Sequence, residues 1–99
     1  MAHLATVTVN ADTGQFTDWI EARGSKLVDV SISGTLAAST ITIQRSYDGT
    51  TALDVETHTA EAERVLQSGA FKYFRAGCKS GEYGGADDVD IRIEAGNAY

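Results

Sequence analysis

Residues 40–55, TITIQRSYDGTTALDV, read as one β-strand, a turn, and a second strand returning beside the first. Ile41 and Ile43 alternate with Thr42 and Gln44, so the outgoing strand has one apolar and one polar face. Asp48-Gly49 turns the chain, because this pair adopts the positive φ angles of a tight hairpin at little cost. On the return, Leu53 and Val55 alternate with Asp54 and Glu56. A period of two marks a half-buried strand, and no stretch of the chain sustains the 3.6-residue period of a long helix.

The same alternation recurs on both sides of this hairpin. In Leu4–Val9 (LATVTV), Ala5, Val7 and Val9 share one face and Thr6 and Thr8 the other. In Lys26–Ser33, Val28, Val30 and Ile32 oppose Asp29 and Ser31, and in Val89–Glu94, Val89, Ile91 and Ile93 face inward. Phe16–Ile20 (FTDWI) fits either a short strand or a single helical turn. His58–Glu63 (HTAEAE) is the one stretch able to start a helix, but it falls short of the ~12 residues an isolated helix needs. Arg64–Gln67 reads as part of a short strand. Ala70–Lys79 (AFKYFRAGCK) has an ambiguous phase: Phe71 and Tyr73 share one face, Phe74, Ala76 and Cys78 the other.

Turn chemistry separates these segments at Asn10–Gly14, Arg23–Ser25, Gly34–Ser39, Ser68-Gly69 and Ser80–Asp88. The chain has no Pro and ten Gly, so its turns rest on Gly, Asn, Asp and Ser. Short strands at this spacing predict an all-β antiparallel sandwich, Ig-like or jelly-roll-like, of seven or eight strands. One domain over residues 1–99 is expected, with a flexible arm at 1–4 and a tail at 95–99.

Composition narrows the function classes. Fourteen acids against eight bases give a formal net charge of −6, which opposes binding to nucleic acid and to anionic membranes. No run approaches the ~18 apolar residues of a membrane helix and no leader opens the chain, so a mature soluble protein is expected. A single cysteine, Cys78, excludes an internal disulfide.

Catalytic chemistry finds no foothold. His3 and His58 are the only histidines, and neither stands beside a Ser or Cys in a nucleophile motif. Cys78, on the face of Phe74 and Ala76, reads as a buried inert thiol. Glu82, Asp87, Asp88 and Asp90 offer hard oxygens but match no calcium loop, and one Cys with two distant His makes no zinc site. The chain is therefore expected to be no enzyme and to hold no cofactor or metal. Trp19, Tyr47 and Tyr83 are the candidates for a ligand or partner surface, because exposed rings stack on sugars or on another protein.

The segment from Thr40 to Glu94 resembles small β-sandwich structural proteins of tailed-bacteriophage virions. The pattern is a strand "V-x-L-Q-R-S", a D-G turn, "V-E-T-x-T", a Ser-Gly turn, an aromatic "Y-x-R" strand and a final alternating strand. Its counterparts are Ile41–Ser46, Asp48-Gly49, Val55–Thr59, Ser68-Gly69, Tyr73–Arg75 and Val89–Ile93. Leu53 departs from it, standing where an aromatic residue is more usual. The resemblance implies a virion part, first of all a capsid decoration or cement protein. Such a protein works as a homo-oligomer on the major capsid protein or on other virion proteins. It is made in the host cytoplasm and carried in the particle. A tail- or connector-associated module, or a carbohydrate-binding module, is the alternative. No active-site residue carries over.

Overall fold

The computed structural model describes residues 3–22, 26–85 and 87–97, and within them every regular element is a strand. In chain order these are β1 (Leu4–Val9), β2 (Gln15–Phe16), β3 (Ile20–Glu21), β4 (Lys26–Thr35), β5 (Ile41–Ser46), β6 (Leu53–His58), β7 (Ala62–Gln67), β8 (Tyr73–Cys78) and β9 (Asp87–Asn97). One sheet has the order β1-β9-β4-β7; the other has β2-β8-β5-β6, with β3 also pairing β8. All pairings are antiparallel.

The pairings nest: β1 with β9, β2 and β3 with β8, β4 with β7, and β5 with β6. Nesting of this kind describes one long antiparallel ribbon wrapped over itself, the double Greek key of a jelly roll. Contacts of β9 with β4 and of β8 with β5 then close the folded ribbon into two sheets. The all-β antiparallel sandwich expected from the sequence is what forms, and of its two variants the strand order selects the jelly roll.

Alternation builds the core directly. Val28, Val30 and Ile32 of β4 and Val89, Ile91 and Ile93 of β9 project from one sheet. They meet Ile41 and Ile43 of β5 and Phe74, Ala76 and Cys78 of β8 from the other, all at most 2% exposed. Each Ile, Val or Phe so enclosed contributes ~1.5–3 kcal/mol relative to exposure. The phase of the aromatic segment is thereby settled: Phe74, Ala76 and Cys78 turn inward, and Phe71 lies ahead of β8, packed against the core.

Five local readings change. FTDWI is no helical turn but the interrupted strand β2–β3, pinned where Thr17 N donates to Ala76 O at 2.9 Å and Ala76 N donates to Thr17 Oγ1 at 3.2 Å. Counting this interrupted strand as two gives nine strands instead of seven or eight. HTAEAE forms no helix; His58 ends β6 and Ala62 begins β7. Ala95–Asn97 are not a tail, because they continue β9 beside Val28, Leu27 and Lys26. Of the arm, Leu4 already belongs to β1 and His3 O accepts from Ala95 N at 2.8 Å. Residues 1–2, the Arg23–Ser25 turn and residues 98–99 lie outside the described residues.

The turn at Asp48-Gly49 is also wider than a two-residue hairpin. Six residues, 47–52, connect β5 to β6, and the Asp48 carboxylate organises them. It accepts from Thr51 N at 2.8 Å, Thr50 N at 2.9 Å and Ser46 Oγ at 2.9 Å, while Gly49 takes φ 82°. These bonds, Thr51 N foremost, hold the Asp48 carboxyl well below the usual carboxylate range. Further along, a bulge at Val55 sets Glu56 opposite Ile43 and breaks the alternation of the return strand.

Gly77 fixes how the interrupted strand lies on β8. A Cβ there would sit 2.5 Å from Phe16 Cα and closer still to the Gln15 carbonyl oxygen, both backbone atoms with little room to yield. Gly77→Ala is therefore expected to destabilise the fold by about 1–3 kcal/mol. Urea unfolding checks this against Gly96→Ala, whose added methyl meets nothing within 4 Å and should leave the midpoint nearly unchanged.

Candidate functional site

Because Phe74 and Ala76 turn inward, Tyr73, Arg75 and Gly77 turn outward, as do Thr42 and Gln44 on the neighbouring β5. The β2–β3 segment then folds two rings over this outer face. The Arg75 guanidinium carbon lies 4.4 Å from the Phe16 ring centroid and 4.5 Å from that of Trp19. Arg75 Nε donates to Gln44 Oε1 at 2.8 Å, and Gln44 Nε2 donates to Asp54 Oδ1 at 2.9 Å. Lys79 Nζ meets Asp54 Oδ2 at 2.5 Å. A strip of stacked and hydrogen-bonded groups thus crosses β8, β5 and β6.

The strip shields what lies beneath. Thr42 and Gln44 are at most 5% exposed although they belong to the outer face. Burial lowers the Arg75 guanidinium from its ordinary value, but a guanidinium stays charged in any case. Lys79, and after it Gln44, lowers the Asp54 carboxyl. The chemistry available here is stacking and charge-assisted hydrogen bonding, which suits recognition.

The three rings chosen from sequence do not form one platform. Trp19 belongs to the strip just described, with Arg75 against its ring. Tyr47 stands at the β5–β6 loop, stacked on Phe71 at 3.9 Å between centroids, and the Arg45 guanidinium also lies 3.9 Å from that ring. Tyr83 packs against the core from the loop that Glu82 O and Ser39 Oγ fasten to the start of β5. Tyr47 and Tyr83 therefore sit beyond opposite ends of β5, about 20 Å of strand apart. Phe16, Arg75 and Gln44 were not singled out from the sequence. The outward phase of Arg75 follows from inward Phe74 and Ala76, but its partners depend on non-local register.

Elsewhere the polar groups tie the fold together. Glu56 of β6 reaches across to Arg64 of β7, at 2.7 Å to Nε and 3.3 Å to Nη2, and His58 Nε2 stands 2.9 Å from the same carboxylate. Ions thus bridge the two sheets along the β6–β7 rim. Cys78 is buried, and that burial pushes its thiol up, away from reactivity. Among the described residues no three His, Cys, Asp or Glu converge as a metal site. Asp90 instead accepts from Thr8 Oγ1 at 2.8 Å. No protein-family model matches this chain, and no curated protein sequence matches it significantly.

Two outcomes follow from these contacts. Arg75→Ala should expose Trp19, the only tryptophan, and shift its fluorescence emission to the red. Arg75→Lys should not restore the native spectrum, because an ammonium cannot stack as a planar guanidinium does. The second concerns acid. Asp48, Asp54 and Glu56 all have folded-state pKa values below their unfolded ones, Glu56 chiefly through Arg64. Their stabilisation is complete above the unfolded carboxylate pKa, near 4, and is lost as pH falls through the lowered values. Thermal melts should fall steadily below about pH 4, and Glu56→Gln should flatten that fall.

Proposed function

We propose that this chain is a structural part of a tailed-bacteriophage virion, a capsid decoration protein that stabilises the head by assembling in several copies. The observation that carries the reading is where apolar side chains stay exposed. Among the described residues the large ones are Leu4, Leu53 and Val65 on edge strands and Tyr47 at the tip of a hairpin, 42–59% exposed. They line the perimeter of a thin sandwich, where neighbouring molecules meet, instead of converging on a cleft. A jelly roll suits the role, since viral capsid domains use the same architecture. The resemblance of Thr40–Glu94 to virion proteins points the same way, while fold by itself assigns no function.

Density-gradient separation of particles, heads and tails from the phage carrying this gene tests the reading. The chain is expected with the heads, at a fixed ratio to the major capsid protein. Recovery with tails alone would favour a tail-associated module, and absence from every particle fraction would remove the proposal.

A further inference from the structure

Each sheet of a sandwich ends in strands with unpaired backbone groups, and proteins guard such edges with charges, bulges or very short strands. Three of the four edges here are guarded. β2 and β3 are two residues each. β6 carries Asp54, Glu56 and the bulge at Val55, and β7 carries Glu63 and Arg64. The fourth, β1, reads LATVTV: six residues, no charge, no Pro, four of them β-branched, with no bulge against β9. Among the described residues, its backbone bonds run only to β9. An edge of that composition is a ready template for pairing with another strand.

We infer that β1 is where two copies of this chain join, antiparallel, about a two-fold axis at Val7, fusing two four-stranded sheets into one. The occupant is a second copy because the strand is self-complementary in one register. In an antiparallel pair, residues directly opposite share a face. A two-fold at Val7 sets Val7 on its own mate, Ala5 on Val9, and Thr6 on Thr8. Thr6 lies beside Arg92 and Thr8 beside Asp90 in the adjoining β9. Each seam row therefore runs Arg92, Thr6, then Thr8 and Asp90 of the second copy, with unlike charges at its ends. A two-fold one residue earlier, at Thr6, would align Arg92 with Arg92 and Glu94 with Asp90. For a chain of net charge −6, the uncharged β1 is also the edge where two copies meet with no acid in the seam.

This inference names the contact by which the proposed assembly begins, and its test is independent of particles. Light scattering on the full chain at rising concentration should reveal a dimer of twice 10.5 kDa. Thr6→Lys with Thr8→Lys opposes lysine to lysine in both rows and should weaken association by about tenfold or more, with the melting curve retained. Thr6→Lys with Thr8→Glu opposes lysine to glutamate and should keep the dimer. A wild-type chain that stays monomeric would overturn the inference, as would a dimer indifferent to both variants. Loss of the dimer in both variants would instead place lysine against lysine at a two-fold on Thr6 and overturn the Val7 register. A monomer that still travels with phage heads would leave the virion reading standing and remove this edge. A dimer absent from particles would do the reverse.

Discussion

The molecule depends on one constraint: four antiparallel pairings must nest, and the innermost is closed by the carboxylate of Asp48. With β5 and β6 joined through the 47–52 loop, β4 and β7 are brought together by short connections, then β3 and β8, then β1 and β9. Each closure costs chain entropy that grows only as ~(3/2)RT ln n, yet the outermost pair would span almost the entire chain if it formed alone. Enclosed pairings shorten that span to a few residues at a time. The Asp48 loop is thus more than a connector. Its hydrogen bonds from Thr50, Thr51 and Ser46 fix the chain reversal at the centre of the nest.

Register propagates outward from that point. A slip of one residue between β5 and β8 would turn Ile41 and Ile43 to solvent and carry Thr42 and Gln44 into the core. It would also move Gly77 away from Phe16. Gly77 admits the backbone at Phe16, and Phe16 and Trp19 then lie against Arg75. Arg75 in turn orients Gln44 and, through it, Asp54. The outer strip therefore reports on the same register that builds the core. It also explains how a side chain as polar as Gln44 is buried on the outer face without loss, since both ends of its amide are bonded.

What the sequence made legible was the part of this logic that is local. Alternation in LATVTV, KLVDVSIS, ITIQRS and VDIRIE assigned both the strands and their inward faces, because pleating is a property of consecutive residues. The Asp48-Gly49 reversal was legible, though not its six-residue width, which comes from the carboxylate capturing the N–H groups of Thr50 and Thr51. The rest is set by partners far away in the chain. Ala95–Asn97 are small residues and look like a tail, but β4 supplies the edge that orders them. FTDWI has no periodicity of its own, since Thr17 serves to bridge a break in pairing with β8. Trp19 was found as an aromatic residue of interest; its stacking on Arg75 needed the β3–β8 register, which no local pattern encodes.

The two ends of each sheet carry a different kind of information. Along the β6–β7 rim, Glu56 and Arg64 bridge the sheets with an ion pair, so that side is closed within one molecule and its charges discourage foreign strands. Along β1 the side chains are uncharged and β-branched, and Leu4 is left 44% exposed. Both rims face the same solvent and obey the same physics, so the contrast reflects different tasks. A sandwich of this size gains by guarding an edge that stays free, because unguarded strands recruit partners indiscriminately. Leaving one edge bare is tolerable when a specific strand occupies it, and the residues beside β1 then favour one register over its neighbours. Arg92 beside Thr6 and Asp90 beside Thr8 provide such a pattern, with opposite signs two residues apart that match only when one copy is inverted against another.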